Sequence, residues 1–410
     1  IDSMRKLFLI LTFSLSVYAQ AQIDRDFFLI ARNTGAKTLA DSSVIRVMGF
    51  AEDLGTHPNV PGPTLIVNEG DSVEIDMWNV SQGAPHTIHL HGLDVDQAND
   101  GVPHLSFEVE HMDHGFYRFQ APHPGTYLYH CHVVSTIHVQ AGMYGMIIVK
   151  EKNGEKKTWT NGFDYDREFA FINSEIDTFW HQDSVLLHDY ENHGMHGVPI
   201  PDYRPQFFLI NGYSDQQLVE EDVKVYGAKD EQILVRLANV GFLGTSYHFP
   251  AELNARVISS DGRPLPRVVE MDSIVILPGE RYQILFNASD VLTDSILVNY
   301  FSLNNFELKG QQKLEVNIVE TAADLILPTP EFKLFPNPNS GALSVQLNGL
   351  NGAVVLKIYD IQGRLVLQEW HNTSKSNLIF TQLPLPNGLY VVEITNTSGI
   401  RIQDKLMLAR

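Results

Sequence analysis

A single cysteine, Cys131, stands in this chain, flanked by His130 and His132. Ten of the 17 histidines fall between His86 and His138, mostly in two blocks. The first block reads Pro85-His86-Thr-Ile-His89-Leu-His91-Gly92. The second reads His130-Cys131-His132, followed by His138 and Met143. Imidazole, thiolate and thioether are metal-binding side chains, and their spacing suggests how they divide. Side chains alternate faces along a strand. If 86–91 and 129–133 are extended neighbours, His86 and Cys131 meet on one side. His89, His91, His130 and His132 then meet on the other.

The first set, completed by His138 and Met143, offers two imidazoles, one thiolate and a long axial thioether. That donor set suits a mononuclear copper that shuttles one electron. The second set is all imidazole and suits copper that binds oxygen or an oxyanion. Electrons would arrive there from Cys131 through the peptide bonds to His130 and His132, so these three residues are expected to carry catalysis. The bland readings are a buried apolar thiol, surface histidine pairs, a packing methionine and a zinc-buffering stretch. None of them accounts for the lone cysteine flanked by histidines, with a further His and Met at short spacing.

The elements that must position these residues read mostly as strands. Leu65–Met77 holds two β-rich runs around a Glu-Gly-Asp turn, and Gly145–Val149 closes the first unit at about 23–150. Residues 151–166 are polar and read as a connector. A second unit, about 167–320, includes the core-like strands 232–238 and 273–277. Long amphipathic helix patterns are scarce, so an all-β sandwich or barrel is expected. Pro328, Pro330, Pro336 and Pro338 form a stiff linker to a last strand-rich unit.

That tail, 333–410, resembles the C-terminal sorting domain of the type IX secretion system. The likeness rests on Leu334-Phe-Pro-Asn-Pro-Asn-Ser-Gly341, on Ile358–Leu365 and on Asn387–Ile394. It implies a small β-sandwich and handling by the type IX secretion machinery. At the other end, Met4-Arg5-Lys6, an apolar run Leu7–Val17 and Ala19-Gln-Ala21 read as an export signal over 1–21. Together they imply a secreted or cell-surface protein.

The metal-site blocks resemble the cupredoxin superfamily of multicopper oxidases and copper nitrite reductases. Pro61–Asp71, Asp100-Gly-Val-Pro103, Arg236–Gly241, Val257–Pro264 and Pro278-Gly-Glu-Arg-Tyr282 extend the likeness over about 45–320. The resemblance implies two Greek-key cupredoxin domains, the second copper-free. It makes His86, Cys131, His138 and Met143 the type 1 copper ligands. It makes His89 a type 2 ligand and His91, His130 and His132 type 3 ligands. In nitrite reductases an Asp stands where this chain has His89, which disfavours nitrite chemistry.

A full trinuclear cluster needs four His-x-His pairs, and this chain shows two. The missing ligands could come from a neighbouring chain, as in the homotrimers of two-domain relatives. Within the chain the further options are His248, expected in the core or at an interface, and His181, His188, His193 and His196, expected as solvated loop histidines. Asp94, Asp96 or Asp100 could assist protonation, although solvated loop carboxylates are the simpler reading.

Composition narrows the partners. With 29 Lys plus Arg against 49 Asp plus Glu, the formal charge is −20. Neither a basic nucleic-acid face nor a polybasic membrane segment is present. The leading expectation is an exported copper oxidoreductase that moves electrons from a small-molecule or metal-ion reductant to dioxygen. The alternatives are a nitrite-reductase-like enzyme and a non-enzymatic blue-copper electron carrier.

Overall fold

A computed structural model of the chain describes residues 23–52, 54, 57–83, 85–187, 202–325, 331–340, 343–348, 353–372, 377–380, 383–396 and 401–410. The expected export signal lies outside these residues, as do His188, His193, His196, Pro328 and Pro330. The longest described helix has only seven residues.

Eight strands build the first unit: β1 (Arg25–Thr38), β2 (Val44–Ala51), β3 (Leu65–Asn68), β4 (Ser72–Asn79), β5 (His89–His91), β6 (His114–Gln120), β7 (Gly125–His130) and β8 (Tyr144–Lys150). They form two four-stranded sheets, β2-β1-β4-β6 and β3-β8-β7-β5. Strand β4 shows why the sheets pack. Val73, Ile75 and Met77 are buried while Glu74, Asp76 and Trp78 are half-exposed, the period-two pattern of a strand with one covered face. Leu29, Phe50, Ile75, Tyr117, Tyr129, Cys131 and Met143 share the core between the sheets. The lone thiol is thus built into the first hydrophobic core.

The second unit begins with β9 (Arg167–Ile176). Its two sheets hold six and five strands. The six-stranded sheet runs Phe207–Ile210, β9, Ile233–Asn239, Arg281–Phe286, Arg256–Ser260 and Arg263–Glu270. Strand Ile233–Asn239 is buried along its whole length, Arg236 and Asn239 included, so its mostly apolar run faces protein on both sides. The connector 151–166 is more than a polar linker. Tyr165 is buried, and Trp159 and Phe163 pack with Leu234, Ile258 and Leu285, so the segment is docked on the second unit.

Side chains tie the first two units together. Arg236 is fully buried, pairs with Glu168 and donates to Thr126 Oγ1 of β7 at 3.2 Å. Lys150 of β8 also pairs with Glu168. Breaking such a buried set from one side leaves an unpaired charge, a loss of about 3–5 kcal/mol. The third unit, from Glu331 onward, is again all strand, with a three-stranded and a four-stranded sheet around its own core.

Candidate metal centre

Strand β5 is only three residues long, and β7 stops at His130. Both strands are shorter than the sequence implies. The separation of faces survives because β5 and β7 pair antiparallel, with His89 opposite His130 and His91 opposite Leu128. Leu90 and Tyr129 point into the core while His89, His91 and His130 stay half-buried. His86 lies before β5 and is anchored by a backbone bridge to Val109. Cys131 lies just past the end of β7.

On the core side, His86, Cys131 and His138 bring ligand atoms within 4.8 Å of one another, and all three are buried. Cys131 Sγ is 3.7 Å from His86 Nδ1 and 3.3 Å from His138 Nδ1. His138 comes from a short helix, α1 (Ser135–Ala141), that folds back over the end of β7. Met143 is fully buried beside it. Its N–H donates to His138 C=O and its C=O accepts from Cys131 N–H, both at 3.0 Å. The chain therefore fastens Cys131, His138 and Met143 together through backbone bonds.

On the other side, His89, His91 and His130 form a second convergent set. His91 Nδ1 is 3.3 Å from His130 Nε2. His132 is close, its ring 5.3 Å from that of His89, but its ligand atom lies outside the set of three. In the turn after His130, the His132 N–H donates to Thr87 Oγ1 at 2.9 Å.

Outer contacts orient the rings. His89 Nδ1 lies 2.8 Å from Asp100 C=O, and His130 Nδ1 lies 3.0 Å from Cys131 C=O. Such second contacts select one tautomer and leave the other nitrogen for a metal. The Asp100 loop can approach because its next residue is Gly101, at φ +77°, where a Cβ would overlap Ile88 C=O. Of the three loop carboxylates, only Asp100 reaches the cluster, its Oδ2 3.5 Å from His89 Nδ1. Asp94 pairs with Arg263, and Asp96 caps a short 3-10 turn.

Burial keeps the imidazoles in their metal-binding form. It pushes His138 down to about 4, His130 to about 3 and His91 to about 4, the last with help from the Arg281 guanidinium. His86 is also held well below its ordinary value, by burial and by the neighbouring His138. Neutral imidazole is the ligand form, so these rings need lose no proton to bind metal. Burial pushes the Cys131 thiol up to about 11, so its thiolate needs an adjacent cation. Two imidazoles, a thiol and a nearby thioether are the donors that fit copper in an electron-transfer site. The neighbouring three-imidazole set fits copper as well.

Several sequence expectations need correction. His248 is exposed rather than in the core, bonded to Ser246 Oγ at 3.1 Å at the end of a second-unit strand, and it belongs to neither cluster. His181 is buried rather than solvated, because its Nδ1 is held 2.7 Å from Arg46 C=O. Sequence reasoning missed Thr87, whose hydroxyl holds His132, and Arg281. The latter lies in the Pro278–Tyr282 block quoted above but gave no sign of reaching His91.

Comparison with known proteins agrees with this geometry. The multicopper oxidase family description matches residues 46–154 and, through a second model, 174–320. The secretion system C-terminal sorting domain matches 333–409. L-ascorbate oxidase of Cucurbita pepo var. melopepo is 33% identical over 164 residues, 39% of this chain and 27% of that protein. The chain thus spans about a quarter of the length of that relative. A copper-containing nitrite reductase of Neisseria meningitidis serogroup B is 26% identical over 303 residues, covering 72% of this chain and 71% of its own. In fold, the blue copper oxidase from Nitrosomonas europaea superposes with a TM-score of 0.57 at 24% identity, over 72% of this chain and 86% of that one. The copper nitrite reductase from Nitrosomonas europaea gives 0.54 at 21% identity, over 73% and 95%.

Proposed function

Because the chain belongs to the multicopper oxidase family and carries a sorting domain for export, we propose that it is an exported copper oxidoreductase that passes electrons, one at a time, from a reductant to dioxygen. Copper would be held by His86, Cys131, His138 and Met143 as the type 1 centre, and by His89, His91, His130 and His132 as an inner centre. Bound copper supplies reversible one-electron chemistry at the first set and reduction of an acceptor at the second.

One observation carries this reading. The two donor sets lie back to back, and Cys131 belongs to one while its neighbour His130 belongs to the other. A single peptide bond therefore joins them. The protein's own part is to hold the rings neutral and oriented, to bury the sulfur, and to keep Asp100 beside His89 where a proton is needed.

A second reading has specific support. The nitrite reductase relative aligns over most of both chains, and the inner set brings together three imidazoles, with the second unit adding Arg281 rather than a histidine. Copper counting with electron paramagnetic resonance on the copper-loaded protein, combined with oxygen and nitrite assays, separates the readings. Oxygen uptake with more than one copper per chain supports the oxidase. Nitrite-dependent nitric oxide without oxygen uptake supports the second reading. One copper and no turnover would leave an electron carrier and overturn both.

A further inference from the structure

Helix α1, which carries His138, ends against a buried carboxyl of the second unit. Glu175, at the end of β9, is buried. Space for it exists because Gly241 has no side chain; a Cβ there would overlap Glu175 Oε2. The Phe242 and Leu243 amides donate to Oε1. The Tyr203 hydroxyl lies 3.2 Å from Glu175 Oε1 and 2.8 Å from Oε1 of Gln140. Gln140 is two residues beyond His138 in α1. The rings of Trp180, Tyr203 and Phe242 pack around this bridge at centroid separations of 5.1–5.9 Å.

A phenol has one proton to give, and here three acceptors compete for it: Gln140 Oε1, Glu175 Oε1 and, at 3.4 Å, the Glu175 carbonyl. A carboxylate outcompetes an amide oxygen for a donor, because charge-assisted hydrogen bonds are the stronger kind. When Glu175 is ionised, the Tyr203 proton goes to it and Gln140 Oε1 loses that donor, so α1 keeps only the direct contact of the Gln140 amide with the carboxylate. When Glu175 is neutral, the Tyr203 proton goes to Gln140 and ties α1 to the second unit.

We propose that Glu175 is a positioning residue for the sulfur–histidine centre, acting through Tyr203 and Gln140 on the helix that holds His138. The inference rests on copper occupying that centre. Burial pushes Glu175 up to about 7, so the exchange takes place near neutral pH. The other titratable groups around the pair are Tyr144 and Tyr300, both raised by burial, and Asp177, which faces Tyr203 and His181. Ionisation also places a negative charge behind the centre, which favours its oxidised, more positive form. Ionisation and release of the Tyr203–Gln140 bond therefore occur over the same pH range.

The test uses copper-loaded full-length protein. The equilibrium constant for reduction by a fixed mediator is followed across pH 7 through the visible colour. In the wild type it is expected to fall about three- to ten-fold on passing from the neutral to the ionised carboxyl. Glu175→Gln keeps an acceptor for the two amides but cannot ionise, and should keep the colour and lose the fall. Tyr203→Phe leaves the carboxyl titratable but removes the bridge, and should lose at least half of the fall. An unchanged fall in Glu175→Gln overturns the proposal. An unchanged fall in Tyr203→Phe overturns the bridge and reduces the effect to charge alone. If Glu175→Gln fails to fold, as judged by its thermal melt, Tyr203→Phe still decides. A colourless wild type would instead overturn the copper assignment, and this inference with it.

Discussion

Cys131 Sγ lies 3.3 Å from Nδ1 of His138, although one residue follows a strand and the other sits inside a helix seven positions later. The turn and helix between them are therefore part of the candidate metal centre. Cys131→Ser changes little volume but removes the sulfur. The copper-loaded variant should be colourless and hold one copper fewer per chain. Burying a hydroxyl in this apolar site should cost about 1–2 kcal/mol of metal-free stability. Visible absorption, metal analysis and denaturant titration check the three outcomes.

His91 belongs only to the imidazole set, half-buried and 3.3 Å from His130. His91→Ala should therefore leave the colour intact, lower the copper count and abolish oxygen uptake. Loss of colour in this variant would contradict the separation of the two sets.

The metal-free protein should be sensitive to acid. An unfolded histidine titrates near 6.5, whereas His138 and His91 are held down to about 4 and His130 to about 3. Below 6.5 the unfolded chain binds more protons than the folded one, so stability falls as pH falls. The loss builds between 6.5 and about 4, at about 1.4 kcal/mol per pKa unit per ring. Thermal melts should show the midpoint dropping across that window, and copper loading should delay the drop. A flat midpoint would show that the rings are not held neutral.

Gly101 supports the inner set from outside. At φ +77°, with the Ile88 carbonyl against it, the position has no room for a side chain. Gly101→Ala should cost about 2–4 kcal/mol. It should also push the Asp100 carbonyl off His89 and weaken copper at the imidazole set before the sulfur centre. Equilibrium unfolding and copper content measured together distinguish this from general destabilisation.

If a neighbouring chain completes the inner set, copper-loaded protein should run as a trimer on sizing chromatography. A stable monomer with full copper and full oxygen uptake would exclude that source of ligands.

What the sequence determined by itself is the donor chemistry and its division. Cys131 sits between His130 and His132, and an extended chain sends adjacent side chains to opposite faces, a division that persists although β7 itself ends at His130. The all-strand character was equally legible, because the period-two pattern of 72–79 and the mostly apolar run of 233–239 report local burial. What only the tertiary structure decided depends on contacts between distant segments. Helix α1 turns His138 back onto the sulfur. The Thr87 hydroxyl fixes the His132 backbone in the turn beyond β7. The second unit delivers Arg281 to His91 and Glu175 to α1. Sequence spacing specifies which face a side chain takes along one strand, but not which remote segment packs against that face. That choice is made by the sum of packing and hydrogen bonds across the whole fold.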